Sequence, residues 1–302
     1  MKRLAAFIMT YERPKEALQM VRTLFAQNLP PAKILVVDNS LSHNTQELIT
    51  NLKDARVQHL RTGYNAGPAG AANIALTTLA SEGYQWIYWG DDNDPPRTTD
   101  AFERILAIAD KVQDPAIGAL GLMGNAFSLR AVKFRMFEKN ELHGIKSVNS
   151  MAGGSMMVIN SKVVGNGILP DASLFFGYEE LDYCLQIKRA GYNIYIDADY
   201  YREQKEVSKK VKKDRIQRMA IHSREKTLWR EYYSIRNLLV IVWGKHHSIL
   251  GTVVLMSRVL FKMIFSFSKG FAFGRKYCSV ALRAVVDFSR NKKGLVIQPG
   301  SI

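Results

Sequence analysis

A chain of 302 residues with 47% hydrophobic content can bury one large core, or a core with a smaller appendage, so a wholly disordered or fibrous chain is excluded. Its two cysteines, Cys184 and Cys278, lie far apart without a partner motif, which excludes a disulfide framework and points to reduced thiols on a cytoplasmic face. The net charge of +15 is unevenly placed, with 22 Lys and Arg against 6 Asp and Glu in residues 201–302 and the rest of the chain near neutrality.

The opening residues Met1 to Ile8 resemble the start of a signal peptide, but the run is too short. It meets Tyr11-Glu12-Arg13-Pro14 before any small-residue cleavage site, so residues 3–10 read as a first strand ending at Thr10. Pro14 suits the first turn of a helix, and Ala17, Leu18, Val21, Leu24 and Phe25 follow at helical spacing. Residues 34–38 form a second strand ending in Asp38, with Asn39-Ser40 as turn and cap. A helix near 44–53 and a strand near 56–60 come next. The βαβαβ alternation with short connections predicts a parallel, doubly wound α/β sheet.

A small-residue loop then runs from Thr62 to Asn73 and enters a helix reaching about Ala80. Its glycines let a backbone approach a ligand closely, and the helix N-terminus beyond favours phosphate. A tight turn alone would use them as well, and the loop is neither a Walker loop nor GxGxxG. The aromatic run Trp86-Ile87-Tyr88-Trp89 reads as a buried strand that stops at Gly90 and releases Asp91, Asp92 and Asp94 before Pro95-Pro96. Carboxylates at that end of a strand face the crevice where open α/β sheets bind ligands. Three so close together repel one another unless a cation sits among them, and oxygen-only ligands favour Mg²⁺ or Mn²⁺ over zinc. An acidic, solvated turn is the plainer alternative.

A helix over about 98–112 and a strand over about 116–123 follow, and residues 125–150 carry no clear periodicity. Residues 151–159 read as a strand headed by Gly153-Gly154, a pair that fits a sugar or phosphate resting on the backbone and equally fits a bulge. A helix starting near Glu179 places Glu179, Glu180 and Asp182 in its first turn, where the helix dipole alone would stabilise them. Residues 192–197 give one more strand. Lys205 to Arg218 reads as a basic, mobile loop, and helices are predicted over about 228–244 and 274–290. Residues 248–267 are apolar but interrupted by Arg258 and Lys262, which fits a helix lying at a membrane interface better than one crossing it. The charge of this last third suggests an add-on facing an anionic surface, either membrane or nucleic acid.

These pieces, in this order, resemble the family-2 glycosyltransferases of the GT-A fold. The resemblance spans roughly residues 3–200 and the stretch Tyr232-Tyr233-Ser234-Ile235-Arg236-Asn237. It is carried by Thr10 to Pro14, Val36 to Ser40, the Asn65/Gly67/Gly70/Asn73 loop, the acidic strand end, and Phe175 to Tyr183. Within the family the chain looks most like bacterial rhamnosyl- and galactofuranosyltransferases of surface polysaccharide synthesis, O-antigen included. The resemblance implies that Thr10 and Arg13 line a nucleotide pocket, Asp38 meets the base, and Asn65, Gly67 and Asn73 support base and ribose. It implies Asp91 near the ribose and Asp92 and Asp94 as metal ligands, although the frame Asp91-Asp92-Asn93 also matches. Glu180 would be the general base, with Gly153, Gly154, Glu179 and Asp182 on the acceptor side. Relatives usually carry a His shortly after the strand ending at Asp197. Here Ala198 to Glu203 has none, so either Arg202 supplies the charge compensation for phosphate or the metal is held more weakly.

The expected organisation is a GT-A domain over 1–200 and a basic, membrane-associating helical extension over 201–302. The expected activity is metal-dependent, inverting transfer of galactofuranose or rhamnose from a UDP- or dTDP-linked donor to a lipid-linked or polysaccharide acceptor. The expected location is the cytoplasmic face of the inner membrane, peripherally bound. Nucleotidyltransfer would want a basic glycine-rich loop after the first strand, which is absent. A nucleotide- or nucleic-acid-binding protein without transferase activity is the alternative. Against it, the tail's charges are interleaved with aliphatic runs rather than aromatic stacking platforms, so no nucleic-acid partner is expected.

Overall fold

The computed structural model describes residues 4–152, 155–215 and 227–300. The first half alternates as the sequence predicts: β1 (Leu4–Thr10), α1 (Pro14–Phe25), β2 (Lys33–Asp38), α2 (Asn44–Thr50), β3 (Val57–Arg61), α3 (Gly67–Ser81), β4 (Trp86–Asp91), α4 (Ala101–Val112) and β5 (Ile117–Gly121). Then come β6 (Ala126–Ser128), β7 (Lys133–Arg135), β8 (Ile145–Ser147), β9 (Val158–Asn160), α5 (Ser161–Gly165), α6 (Glu179–Arg189), β10 (Asn193–Asp197) and α7 (Ala198–Arg215). The chain ends in α8 (Leu228–Leu239), α9 (Ile249–Ser266) and α10 (Phe271–Ser289), with a π-helical turn, Val240–Lys245, after α8.

Eight strands make one sheet in the order β3-β2-β1-β4-β9-β5-β10-β8. β1 pairs in parallel with β2 and β4, β2 with β3, and β5 with β10. β9 runs antiparallel to both β4 and β5, and β8 antiparallel to β10, so the sheet is mostly parallel rather than wholly so. β1, β2, β4, β5 and β9 are buried nearly throughout, which is why they read as largely apolar runs, whereas β3 and β8 at the sheet edges are only partly buried. β1 sends Ala5, Phe7 and Met9 into one core with α3 and α6, and Leu4, Ala6 and Ile8 into the other with α1 and α4. Gly90 is dictated by this packing, since a Cβ there would meet the Phe7 carbonyl oxygen at 2.5 Å.

The chain divides into two units. The first comprises Met1–Ala126, Met136–Ala172 and Glu180–Val207; the second comprises Phe127–Arg135, Ser173–Glu179 and Ser208–Ile302. In the second unit, α8 buries Tyr232, Tyr233, Ile235 and Leu239. Buried hydroxyls bind it to the rest of the unit, Tyr232 donating to Asp287 Oδ2 at 2.9 Å and Tyr233 to the Ile297 carbonyl at 2.9 Å.

Two expectations are corrected. The predicted strand over 151–159 shrinks to Val158–Asn160. Residues 155–157 are irregular because Met156 takes a left-handed backbone (φ 54°) and Ser155 N–H closes a turn on Ala152 O. The basic stretch from Lys205 is helical as far as Arg215, not a loop. Ion pairs from Arg202 to Asp199 and from Lys139 to Glu206 support it, and the Lys205 ammonium donates to the Phe137 carbonyl. Residues 216–218 lie outside the described residues. Among the described residues one helix, Ile249–Lys269, is long and apolar enough to cross a membrane by length and composition.

Candidate active site

The parallel strands β1, β2 and β4 end side by side, and each delivers a polar side chain at its last residues. Thr10, at the end of β1, donates its hydroxyl to Asp92 Oδ2 at 2.8 Å, and Arg13 Nη1 donates to Asp92 Oδ1 at 3.2 Å. Asp92 is buried while half of the Arg13 side chain stays open, so the guanidinium bridges a buried carboxylate to solvent. Asp91 accepts from the Asp92 amide at 2.7 Å. Desolvation among the strand ends, and then the charge of Asp92, push the Asp91 carboxyl up to about 6. Burial also raises Asp94, with Arg97 opposing it. The cluster is therefore negatively crowded.

Asp38 ends β2 fully buried. It accepts from the Ser40 amide at 2.9 Å and pairs with His59 Nε2 at 3.0 Å. Burial alone would raise its carboxyl, but the bonds from His59 and Ser40 outweigh that and hold it below the usual range. Both carboxylate oxygens are thus satisfied from within the protein. Beside it, Asn39 donates to the Gly67 carbonyl at 3.2 Å and accepts from Thr62 Oγ1 at 3.1 Å, tying the end of β2 to the glycine loop. Asn65 caps that loop by accepting from Gly67 N–H at 3.0 Å, and Gly67 takes φ +68°, a value glycine adopts without cost. Asn73 lies farther along α3 and donates to the Pro170 carbonyl at 2.8 Å.

α6 packs on β4 through Tyr183 against Trp89, with ring centroids 5.8 Å apart, which brings the acidic helix start onto the face of the strand that bears Asp91. Glu179 and Asp182 are buried and Glu180 is half-buried. Asp182 accepts from Gln186 at 2.8 Å. Arg202 pairs with Asp199 at 2.9 Å and donates to the Leu142 carbonyl at 3.0 Å, with the His143 ring beside it. Gly153 and Gly154 lie outside the described residues.

Three contributions escaped the sequence reading. Glu12 takes φ 54° and its carboxylate accepts from Leu41 N, Ser42 N and Ser42 Oγ, clasping the loop after β2. His59 supplies the partner of Asp38. In the second unit, Arg236 and Asn237 hold the segment leading to α6, where Phe175, Gly177 and Tyr178 all have positive φ. Asn237 Nδ2 donates to the carbonyls of Leu174, Phe176 and Gly177 at 2.8–3.0 Å, and Arg236 Nη2 donates to Leu174 O at 2.8 Å.

Among the described residues no three His, Cys, Asp or Glu side chains form a ready-made metal cage. A Mg²⁺ ion held by one or two carboxylates, completing its shell from phosphate and water, needs no such cage. Asp91, Asp92 and Asp94 offer only oxygen ligands, which suits such a cation, and the repulsion between Asp91 and Asp92 is what it would relieve.

Residues 5–165 match the family model described as Glycosyl transferase family 2, which is more than half of the chain. The chain belongs to glycosyltransferase family 2. A relative in sequence is galactofuranosyltransferase GlfT1 of Mycobacterium tuberculosis, 25% identical over 212 residues, covering 65% of this chain and 68% of that one. Among solved structures, S. aureus TarS 1-349 overlays with a TM-score of 0.54 at 14% identity, covering 96% of this chain and 81% of its own. The same TarS fragment in complex with UDP-GlcNAc overlays at 0.55 with 11% identity over the same shares. The fold of this glycosyltransferase is thus GT-A, a mostly parallel sheet flanked by helices, with C-terminal helices following. A non-catalytic nucleic-acid-binding role is not favoured by these likenesses.

Proposed function

We propose that this glycosyltransferase moves galactofuranose or rhamnose from a UDP- or dTDP-linked donor to a hydroxyl of a lipid-linked or polysaccharide acceptor, with inversion. The observation that carries this reading is the Thr10–Arg13–Asp92 cluster at the ends of parallel strands, next to the glycine turn that opens α3. Similarity to a galactofuranosyltransferase supports the sugar, and the UDP-GlcNAc complex of the TarS fold supports a uridine nucleotide.

In this reading Thr10 and Arg13 line the nucleotide pocket, with Asn65, Gly67 and Asn73 supporting base and ribose and Asp91 at the ribose. Asp38 meets the base through the loop it organises, because its own oxygens face Ser40 and His59. Asp92 and Asp94 would hold Mn²⁺ or Mg²⁺, and such an ion would supply counter-charge to a diphosphate. Glu180 takes the proton of the acceptor hydroxyl as that oxygen bonds the anomeric carbon from the face opposite the departing nucleoside diphosphate. Asp182, Glu179 and the Gly153-Gly154 pair shape the acceptor side. The acceptor is reached at the inner, cytoplasmic face of an anionic membrane, in surface-polysaccharide synthesis.

The test is turnover of UDP-galactofuranose and dTDP-rhamnose by purified full-length protein, with a polyprenyl-diphosphate-linked glycan as acceptor and Mn²⁺ or Mg²⁺ present. Transfer of one sugar with release of its nucleoside diphosphate is expected. Absence of both transfer and nucleotide binding overturns the reading.

A further inference from the structure

We propose that α9 docks the protein on an anionic bilayer by lying in the membrane plane, one apolar face inserted and the cations of α10 at the level of the lipid phosphates. This deepens the membrane part of the reading above, but it is argued from the second unit alone.

Ile249, Leu250, Val253, Leu260, Phe261 and Ile264 are all exposed, Ile264 at 75%. At about 100° per residue they fall, with Phe265, within one arc of about 160°. The rings of Phe261 and Phe265 stack at 6.0 Å, and the stripe continues past the helix end into Phe267 and Phe271, the latter 76% exposed. An 18-residue helix presents such a face over about 27 Å. Scattered exposed apolar residues need no explanation, but a continuous stripe of this length does.

Arg258 and Lys262 do not break the stripe. They lie outside the arc, Arg258 donating to the Val132 carbonyl at 2.7 Å and Lys262 pairing with Glu231 at 3.4 Å. The opposite face of α9 is occupied by protein. Leu255 and Val259 are buried, and a Cβ at Gly251 would meet the Leu129 carbonyl at 2.1 Å. Residues 127–135, a short two-stranded segment, therefore lie against α9 through the backbone of their connecting turn, at Leu129 O and Val132 O. Lipid-exposed backbone of that kind is not accommodated across a bilayer, so α9 lies on the membrane and does not span it.

Charge selects the occupant. From Ile249 to Val286 there is no Asp or Glu, whereas Lys269, Arg275, Lys276 and Arg283 are exposed. A groove of about 540 Å³ along α10 is lined by Phe271, Arg275, Lys276 and Arg283. Apolar rings beside cations match an anionic headgroup above its acyl chain. A second copy paired two-fold through this face would bring like charges together, whereas an anionic bilayer neutralises them.

The experiment floats the full-length protein on vesicles of phosphatidylglycerol with phosphatidylcholine, and on phosphatidylcholine alone. Binding to the anionic vesicles is expected. It should fall by roughly tenfold or more in a Phe261→Asp/Ile264→Asp variant and in an Arg275→Glu/Lys276→Glu variant. Melting temperature should not move, because all four side chains are exposed. No flotation, or flotation unchanged in both variants, overturns the proposal. So does resistance to alkaline carbonate, the mark of a span, or a vesicle-free dimer that the apolar variant splits. UDP-induced thermal stabilisation of the same preparation is read separately, so a failed transferase reading is distinguishable from a failed docking surface.

Discussion

Glu180 stands in the first turn of α6 between two buried acids, and substitution separates their roles. Glu180→Gln should lower kcat by about 10²–10⁴-fold with UDP affinity unchanged, because a general base touches the acceptor and not the diphosphate. Glu179→Gln should be milder. Asp182→Asn should lower the melting temperature, since Asp182 is buried against Gln186. Full turnover in Glu180→Gln, with turnover lost in Asp182→Asn at an unchanged melting temperature, would move the base to the buried face. Asp38 carries a pH signature. Its carboxyl is depressed in the folded chain, so its stabilisation is present above the ordinary carboxylate range and is lost as pH falls through its lowered folded value. Asp38→Asn should therefore flatten the acid limb of a melting-temperature profile, and an unaltered limb would show the pair with His59 to be inconsequential. Asp38 was legible because a carboxylate closing an apolar run is conspicuous in a sequence. His59 was not, because its place depends on register: Val36 pairs with His59, and period two puts Val36 and Asp38 on one face.

The segment before α6 shows how one element can hold another. Phe175, Gly177 and Tyr178 share left-handed backbone, a costly arrangement for the two aromatic residues. Asn237 and Arg236 on α8 satisfy its carbonyls. Asn237→Ala would strip the Phe176 and Gly177 carbonyls of this donor, at about 1–3 kcal/mol for each left buried and unsatisfied, while Leu174 O keeps Arg236. A marked fall in melting temperature is expected, together with a fall in kcat that exceeds any change in donor KM. Arg236→Lys should fail to rescue the loop, because an ammonium cannot reproduce the planar fork that serves Gly294 O, Leu174 O and Asn237 Oδ1 together. Wild-type kinetics in both variants would leave the clamp without consequence. At this scale the first five strands and their helices were readable, since each strand alternates between two cores. α7 was missed because its helix rests on ion pairs and long polar side chains, with too few apolar residues to set a period. The strand predicted over 151–159 was overextended because an apolar run does not disclose the left-handed turn at Met156.

For the whole molecule, a ligand bound only by the folded state must raise its stability, by ~2.7 kcal/mol at a hundredfold excess over Kd. UDP with Mn²⁺ should raise the melting temperature by several degrees, and Asp92→Ala or Asp94→Ala should abolish most of that rise. If only Asp94→Ala keeps it, Asp91 takes the place of Asp94 and the metal frame begins one residue earlier; if both variants keep it, the metal assignment fails. The sheet order carries a further consequence for how the chain folds. Among the described residues β3-β2-β1-β4 and β5-β10-β8 have no strand pairing with each other, and Val158–Asn160 of β9 is the strand that joins them. β1 to β4 are complete in sequence by Asp91, whereas β9 must return across about 70 residues to pair with Trp86–Tyr88. Closing so long a loop delays the contact. Pulse-labelled hydrogen exchange during refolding should protect the amides of β1, β2 and β4 before those of β5 and β10. Simultaneous protection would mean that the two half-sheets form as one nucleus. A sheet assembled in that order would have its donor-side strand ends in place before three residues join its two halves.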